Sequence, residues 1–138
     1  MSNLITETVT STGIAQAAAR LLGIARRTPL ELNATLSKQF DCSVWLKRED
    51  LQVVRSYKLR GAYNKMATLS DTERQNGIVC ASAGNHAQGV AFACRHLGIR
   101  GRIFMPATTP GQKLNKVAAF GGDAVAVVLT GDTFDDAY

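Results

Sequence analysis

An open parallel α/β sheet with flanking helices is the fold class this sequence predicts, and three observations predict it. Strand-like and helix-like patterns alternate from Ile78 onward, at spacings that suit short right-handed crossovers. The run Ala124–Leu129 is continuously apolar, as expected of a strand buried on both faces. Glycine or proline marks the boundaries, at Gly77, Gly98, Pro106, Pro110 and the pair Gly121-Gly122.

The elements follow in chain order. Residues 1–13 are polar, rich in Ser and Thr, and read as a flexible N-terminus. Ile14, Ala17, Ala18 and Leu21 fall at helical spacing and predict a short amphipathic helix that Gly23 ends. Pro29 pushes Thr28 out of the helical region, so Arg27–Leu30 reads as an extended connector. A short helix over Ala34–Phe40 and a strand over Ser43–Lys47 come next. The charged run Lys47-Arg48-Glu49-Asp50, taken alone, is a solvated turn. Ser56 stands where an N-cap belongs, ahead of a helix with the apolar face Leu59, Ala62, Tyr63 and Met66. Ser70-Asp71-Thr72-Glu73 has capping-box spacing and opens a brief helical turn ending near Gly77.

The regular part begins there. Ile78–Ala81 is a short apolar strand. Ala87, Val90, Ala91, Cys94 and Leu97 mark one face of a helix that Gly98 ends, and Arg102–Met105 is a second strand. Pro110 suits a first helical turn, and Leu114, Val117 and Ala118 line the helix that follows. After the third strand, Asp132 reads as the N-cap of a last helix, and the chain stops at Tyr138 barely inside it.

Composition narrows the function. The 138 residues suffice for one modest core, and 46% hydrophobic with 20% charged residues is ordinary globular composition. The net charge of +5 is scattered rather than lined along one helix, so a nucleic-acid-binding stripe is poorly supported. Attraction for an anionic small molecule fits equally well. Cys42, Cys80 and Cys94 form no C-x-x-C pair, which indicates neither a disulfide framework nor a zinc site and suggests a reducing compartment. No apolar run approaches membrane-spanning length and no secretory signal is visible, so the cytoplasm is the default location.

Two stretches carry chemistry. In Ser56-Tyr57-Lys58-Leu59-Arg60-Gly61-Ala62, Lys58 falls in a first helical turn, where the helix dipole disfavours a cation. That lowers the cost of a neutral amine, as a Schiff-base lysine requires; the alternative is a solvated surface lysine. Ala81–Gly89 joins a strand's carboxyl end to a helix, where open α/β sheets bind ligands. Ser82, Ala83 and Gly84 let a carboxylate approach the backbone, Gly84 frees the turn geometry, and Asn85 offers a donor and an acceptor. The plainer reading is an Asn-capped helix after a tight turn. His86 has no partner at metal-ligand spacing and fits a buried, hydrogen-bonded role. His96 lies opposite the apolar face as a solvated residue, and Cys94 is core.

Together, S-Y-K-L-R-G-A and S-A-G-N-H-A-Q-G resemble the pyridoxal-phosphate enzymes of fold type II (the tryptophan synthase β-like group), and among them the threonine (serine) dehydratases. Arg27-Thr28-Pro29-Leu30, Leu46 through Gln52, and Met105-Pro106 through Pro110 and Lys113 agree with this, and the likeness runs from about Ile14 to Tyr138. The resemblance implies pyridoxal 5'-phosphate as cofactor and Lys58 as the Schiff-base and catalytic lysine. It places Tyr57, where phenylalanine is more usual, against the cofactor, and Asn85 on the ring hydroxyl oxygen. Ser82, Ala83, Gly84, Asn85 and His86 become the loop for the substrate carboxylate. The implied reaction is α,β-elimination of L-threonine to 2-oxobutanoate and ammonia, in isoleucine biosynthesis or, alternatively, in serine/threonine catabolism. Serine racemases of this fold carry a second serine where this chain has Ala83, which favours elimination. The family's glycine-rich phosphate loop belongs to a later stretch. Residues 14–138 are therefore expected to be the N-terminal part of a catalytic domain, with a small domain over roughly 50–138. The parent enzyme is expected to be a homo-oligomer acting on a small amino acid, without membrane, nucleic acid or metal; the alternative is a non-catalytic truncated fragment.

Overall fold

The computed structural model describes residues 9–137. Helix α1 (Ser11–Arg20) starts earlier than Ile14 because Thr10 caps it, its Oγ1 accepting the Gly13 N–H at 3.0 Å. The expected flexibility of residues 1–8 lies outside the described residues. Arg20 ties α1 to the lysine-bearing helix by donating from Nε to Asn64 Oδ1 at 2.7 Å.

Leu30–Leu32 forms a strand, β1, that the sequence reading takes as connector. It pairs antiparallel with β2 (Trp45–Lys47), Leu32 opposite Trp45 and Leu30 opposite Lys47. Three residues after a proline are too few to show a period of two, so only the pairing reveals the strand. Between them lies α2 (Ala34–Phe40), where expected, with Asn33 Oδ1 accepting the Leu36 N–H at 2.9 Å.

The lysine-bearing helix is α3 (Lys58–Ala67), and α4 (Asp71–Asn76) follows with both halves of the Ser70–Glu73 capping box in place. Strands β3 (Ile78–Ala81), β4 (Gly101–Met105) and β5 (Val125–Leu129) then pair in parallel in the order β3-β4-β5. Helices α5 (Asn85–Leu97) and α6 (Gly111–Gly121) are the crossovers, so the expected sheet with flanking helices is present. A last helix, α7 (Phe134–Ala137), is capped by Thr133 rather than Asp132. Thr133 Oγ1 accepts the Asp136 N–H at 3.2 Å, and the Asp136 carboxylate accepts the Thr133 N–H at 2.9 Å.

Burial departs from expectation in two elements. No residue of β5 is fully buried, because β5 is at one side of the sheet order; Val125 and Val127 face the core while Ala126 and Leu129 are exposed. Helix α5 does the reverse. Ala87 through Cys94 are all buried, not one face only, because α5 packs against α3, against α6 and across the sheet. Its alanines and Gly89 let those neighbours come close. On α6, Val117 and Gly121 are buried whereas Ala118 is exposed. Leu59, Ile99, Ile103 and Met105 are at most 2% exposed, and each such side chain stabilises the fold by about 1.5–3 kcal/mol.

Candidate active site around Lys58

The chain reaches Lys58 through a tightly folded loop. Gln52, Val54 and Ser56 are buried, while Leu51, Val53, Arg55 and Tyr57 between and beside them are exposed. Arg55 adopts the left-handed region at φ 59, reversing the chain just before the helix. Ser56 therefore does not cap α3. Tyr57 holds the N-cap position without a side-chain bond, and the Ser56 Oγ is buried with no hydrogen-bond partner among the described residues. Lys58 is the first helical residue and half-buried, with its Nζ 5.0 Å from the centroid of the exposed Tyr57 ring.

The charge run before the loop is not simply a solvated turn. Glu49 opens a short 3-10 turn (Glu49–Leu51), and its carboxylate takes a bidentate fork from Arg60, Nε and Nη2 each at 2.9 Å. The Thr28 hydroxyl donates to the same carboxylate at 2.6 Å. Gln52 lies beneath, accepting the Arg26 N–H at 3.0 Å and donating to the Arg26 carbonyl at 2.8 Å. The Arg60 hydrogen bond is the largest influence on Glu49; with Thr28 it outweighs burial and holds the carboxyl down to about 2. Arg48, which pairs with Glu31 at 2.6 Å and Asp50 at 2.9 Å, keeps with Asp50 the surface character expected of the run.

The second motif meets Lys58 through a glycine. A Cβ on Gly89 would stand 3.0 Å from both the Lys58 carbonyl carbon and its oxygen, and 3.2 Å from the Leu59 nitrogen. Helix α5 thus crosses α3 with bare backbone against the Lys58–Leu59 peptide. Asn85 lies four residues earlier on the same face of α5, one turn nearer the strand end. Sequence reasoning left Gly89 without a role. Its signal was a glycine inside a helical pattern, which costs about 1 kcal/mol against alanine unless something must come close.

Ser82, not Asn85, caps α5: its Oγ accepts the Gly84 and Ala87 N–H groups, each at 3.3 Å. Gly84 is the N-cap residue at φ −132, outside the left-handed region, so a positive φ is not what calls for glycine there. A Cβ on Gly84 would meet no atom of the chain within 4 Å, so the glycine keeps bare backbone at the loop's open side. Asn85 and His86, as the first helical residues, present N–H groups with no intrahelical acceptor, and both side chains are exposed. His86 is therefore not the buried, hydrogen-bonded residue expected. What burial its ring does have, then the Lys58 charge, pull its pKa below the ordinary value. His86 also borders a cavity of about 520 Å³ between α3 and β3, lined by Met66, Leu69, Cys80 and Val90 among others. His96 is exposed as expected, stacked on Phe92 with ring centroids 3.8 Å apart, and Cys94 is core.

A primary amine at a helix head, an aromatic ring beside it and a strand-end loop with free N–H groups fit a carbonyl cofactor and an amino-acid carboxylate. The chain matches the pyridoxal-phosphate dependent enzyme family over residues 21–138 and belongs to it. Pyridoxal 5'-phosphate is that family's cofactor. Among curated relatives, the biosynthetic L-threonine dehydratase IlvA of Bacillus subtilis is 64% identical over 80% of this chain and 26% of its own length. Its Staphylococcus saprophyticus counterpart is 59% identical over 94% of this chain and 31% of its own. The chain thus spans less than a third of these relatives. Among solved structures, the processed form of threonine deaminase isoform 2 from Solanum lycopersicum superposes with a TM-score of 0.75. It is 46% identical, covering 94% of this chain and 36% of that one. Serine racemase from Dictyostelium discoideum gives a TM-score of 0.82 at 29% identity, covering 94% of this chain and 41% of that one.

Proposed function

We propose that this chain supplies part of the catalytic domain of a pyridoxal-phosphate-dependent threonine dehydratase, which eliminates ammonia from L-threonine to give 2-oxobutanoate. The contact of Gly89 with the Lys58 peptide carries the reading, because it brings a half-buried lysine and a strand-end loop to one place. When bound, pyridoxal phosphate supplies an electron sink for charge developing at the substrate α-carbon. Lys58 would hold the cofactor through its amine and, once free, take the α-proton. Tyr57 would lie against the cofactor ring, and the exposed Asn85 amide would bond its ring hydroxyl oxygen. Ser82 shapes the loop, and the free N–H groups of Asn85 and His86 would take the substrate carboxylate, with Ala83 and Gly84 leaving room for it. Ala83 carries no proton-transferring group, which favours elimination over a two-base racemisation.

The names of the relatives favour a biosynthetic role, for which isoleucine formation is our reading. Among the described residues no helix is long and apolar enough to cross a membrane. The proposal further takes the parent enzyme as a cytoplasmic homo-oligomer, with residues 50–138 as its small domain. Borohydride reduction of the cofactor-loaded full-length protein, followed by peptide mass mapping, tests the assignment. The expected label is on Lys58, and a label on Lys65 or elsewhere would sink it. Lys58→Ala should abolish 2-oxobutanoate formation.

A further inference from the structure

We infer that Glu49 and Arg60 are positioning residues for Lys58: their forked ion pair closes the base of the loop that carries the lysine and fixes the first turn of α3. The inference rests on the reading of Lys58 as the cofactor-bearing residue. One carboxylate joins three segments that are distant in the chain. Arg60 forks onto it from the first turn of α3 with both contacts at 2.9 Å. Thr28 donates to it at 2.6 Å, and Gln52, which is 1% exposed, lies 3.5 Å from it while holding both backbone atoms of Arg26. Arg60 reaches the same Arg26 carbonyl with Nη2 at 3.0 Å. Lys58 lies inside the loop so closed, two residues before Arg60.

Burial does not explain the pair. Leu59, Ala62 and Met66 bury the inner face of α3 in apolar clusters that do not include Glu49. The Arg60 side chain keeps 34% of its surface and that of Glu49 15%, so the pair is neither buried inside the core nor loose on the surface. A bidentate guanidinium–carboxylate fork fixes orientation as well as distance, which a single contact cannot do. On its other side, the Lys58 peptide lies so close to Gly89 that a Cβ there would stand 3.0 Å from the Lys58 carbonyl. Among the described residues the Lys58 amine makes no hydrogen bond or ion pair, and the exposed Tyr57 ring lies 5.0 Å from its Nζ. Its aim is therefore set through the backbone, by the fork on one side and the glycine on the other.

The test uses the full-length, cofactor-loaded protein with Glu49→Gln and, separately, Arg60→Lys, which keeps the charge but loses the fork. Four readouts are needed: borohydride labelling of Lys58, visible circular dichroism of the lysine-bound cofactor, kcat, and KM for threonine. We expect both variants to be labelled at Lys58. We expect their visible dichroism to fall by about half or more and kcat to fall by roughly 10- to 100-fold, with KM within about threefold of wild type, as a slightly misplaced reacting group produces. Wild-type dichroism and kcat in both variants, even with a lower melting temperature, would overturn the proposal and leave the pair a structural brace. If one variant does not fold, the other decides by the same readouts. Failure of the wild-type protein to label at Lys58 would instead overturn the functional reading beneath it.

Discussion

Glu49 belongs to a charge run that reads in sequence as a solvated turn, yet it anchors three segments, and its titration follows from that. Hydrogen bonding from Arg60, then from Thr28, lowers its pKa from the ordinary 4.5 to about 2 despite opposing burial. A carboxyl depressed in the folded state contributes stability that is complete above its unfolded pKa and is lost as pH falls through the folded value. The contribution should therefore be full above about pH 5 and disappear between about pH 5 and pH 2, amounting to about 1–3 kcal/mol by linkage. Urea unfolding across that range should show a shallower acid loss for Glu49→Gln than for wild type; parallel curves would contradict the assignment. The residues of the two motifs were legible because each motif is continuous in sequence. The partners of Glu49 were not, since Thr28 and Arg60 lie 21 and 11 residues away. Capping was half legible: the Ser70–Glu73 box is in place, but the backbone turn at Arg55 sends Ser56 inward, and Ser82 rather than Asn85 caps α5.

Between elements, the crossing of α3 and α5 governs the site. Gly89→Ala gains about 1 kcal/mol of helix propensity but sets a methyl group 3.0 Å from backbone that cannot swing aside. Overpacking of that kind costs about 1–3 kcal/mol, so net stability should fall by up to about 2 kcal/mol. Lys58 should shift with it, and kcat should drop more than the loss of folded protein accounts for; an unaltered kcat would show that the crossing tolerates the methyl. Ser82→Ala removes the acceptor for two N–H groups at the head of α5 and should cost about 1 kcal/mol, read as a lower unfolding midpoint. The helical period was readable over Leu59–Met66 because its apolar positions repeat over about two turns. Strand β1 was not, and α5 showed only one apolar face because alanine and glycine report burial poorly in composition.

For the molecule as a whole, the parallel sheet was legible from the alternation of strands and helices, whereas the order β3-β4-β5, with β5 at one side, was not. Apolar runs predict strands, but lateral position depends on which neighbour covers them. The other side is β3, where Val79 is 73% exposed and no strand is paired outside it among the described residues. An unpaired strand rich in β-branched residues is a template for association. The isolated 138-residue chain should self-associate with increasing concentration in light scattering, and Val79→Lys should reduce this; a monomeric wild-type chain at high concentration would rule it out. The inward positions of Gln52, Val54 and Ser56 have a consequence for how this region can change in length. Deleting one residue there, with both anchors kept, would exchange inward and outward positions beside the deletion, turning a side chain now buried towards solvent and forcing an exposed one inward. Natural variants of this protein should accept substitution at the exposed Val53 more readily than at Gln52, Val54 or Ser56, and hardly any insertion or deletion.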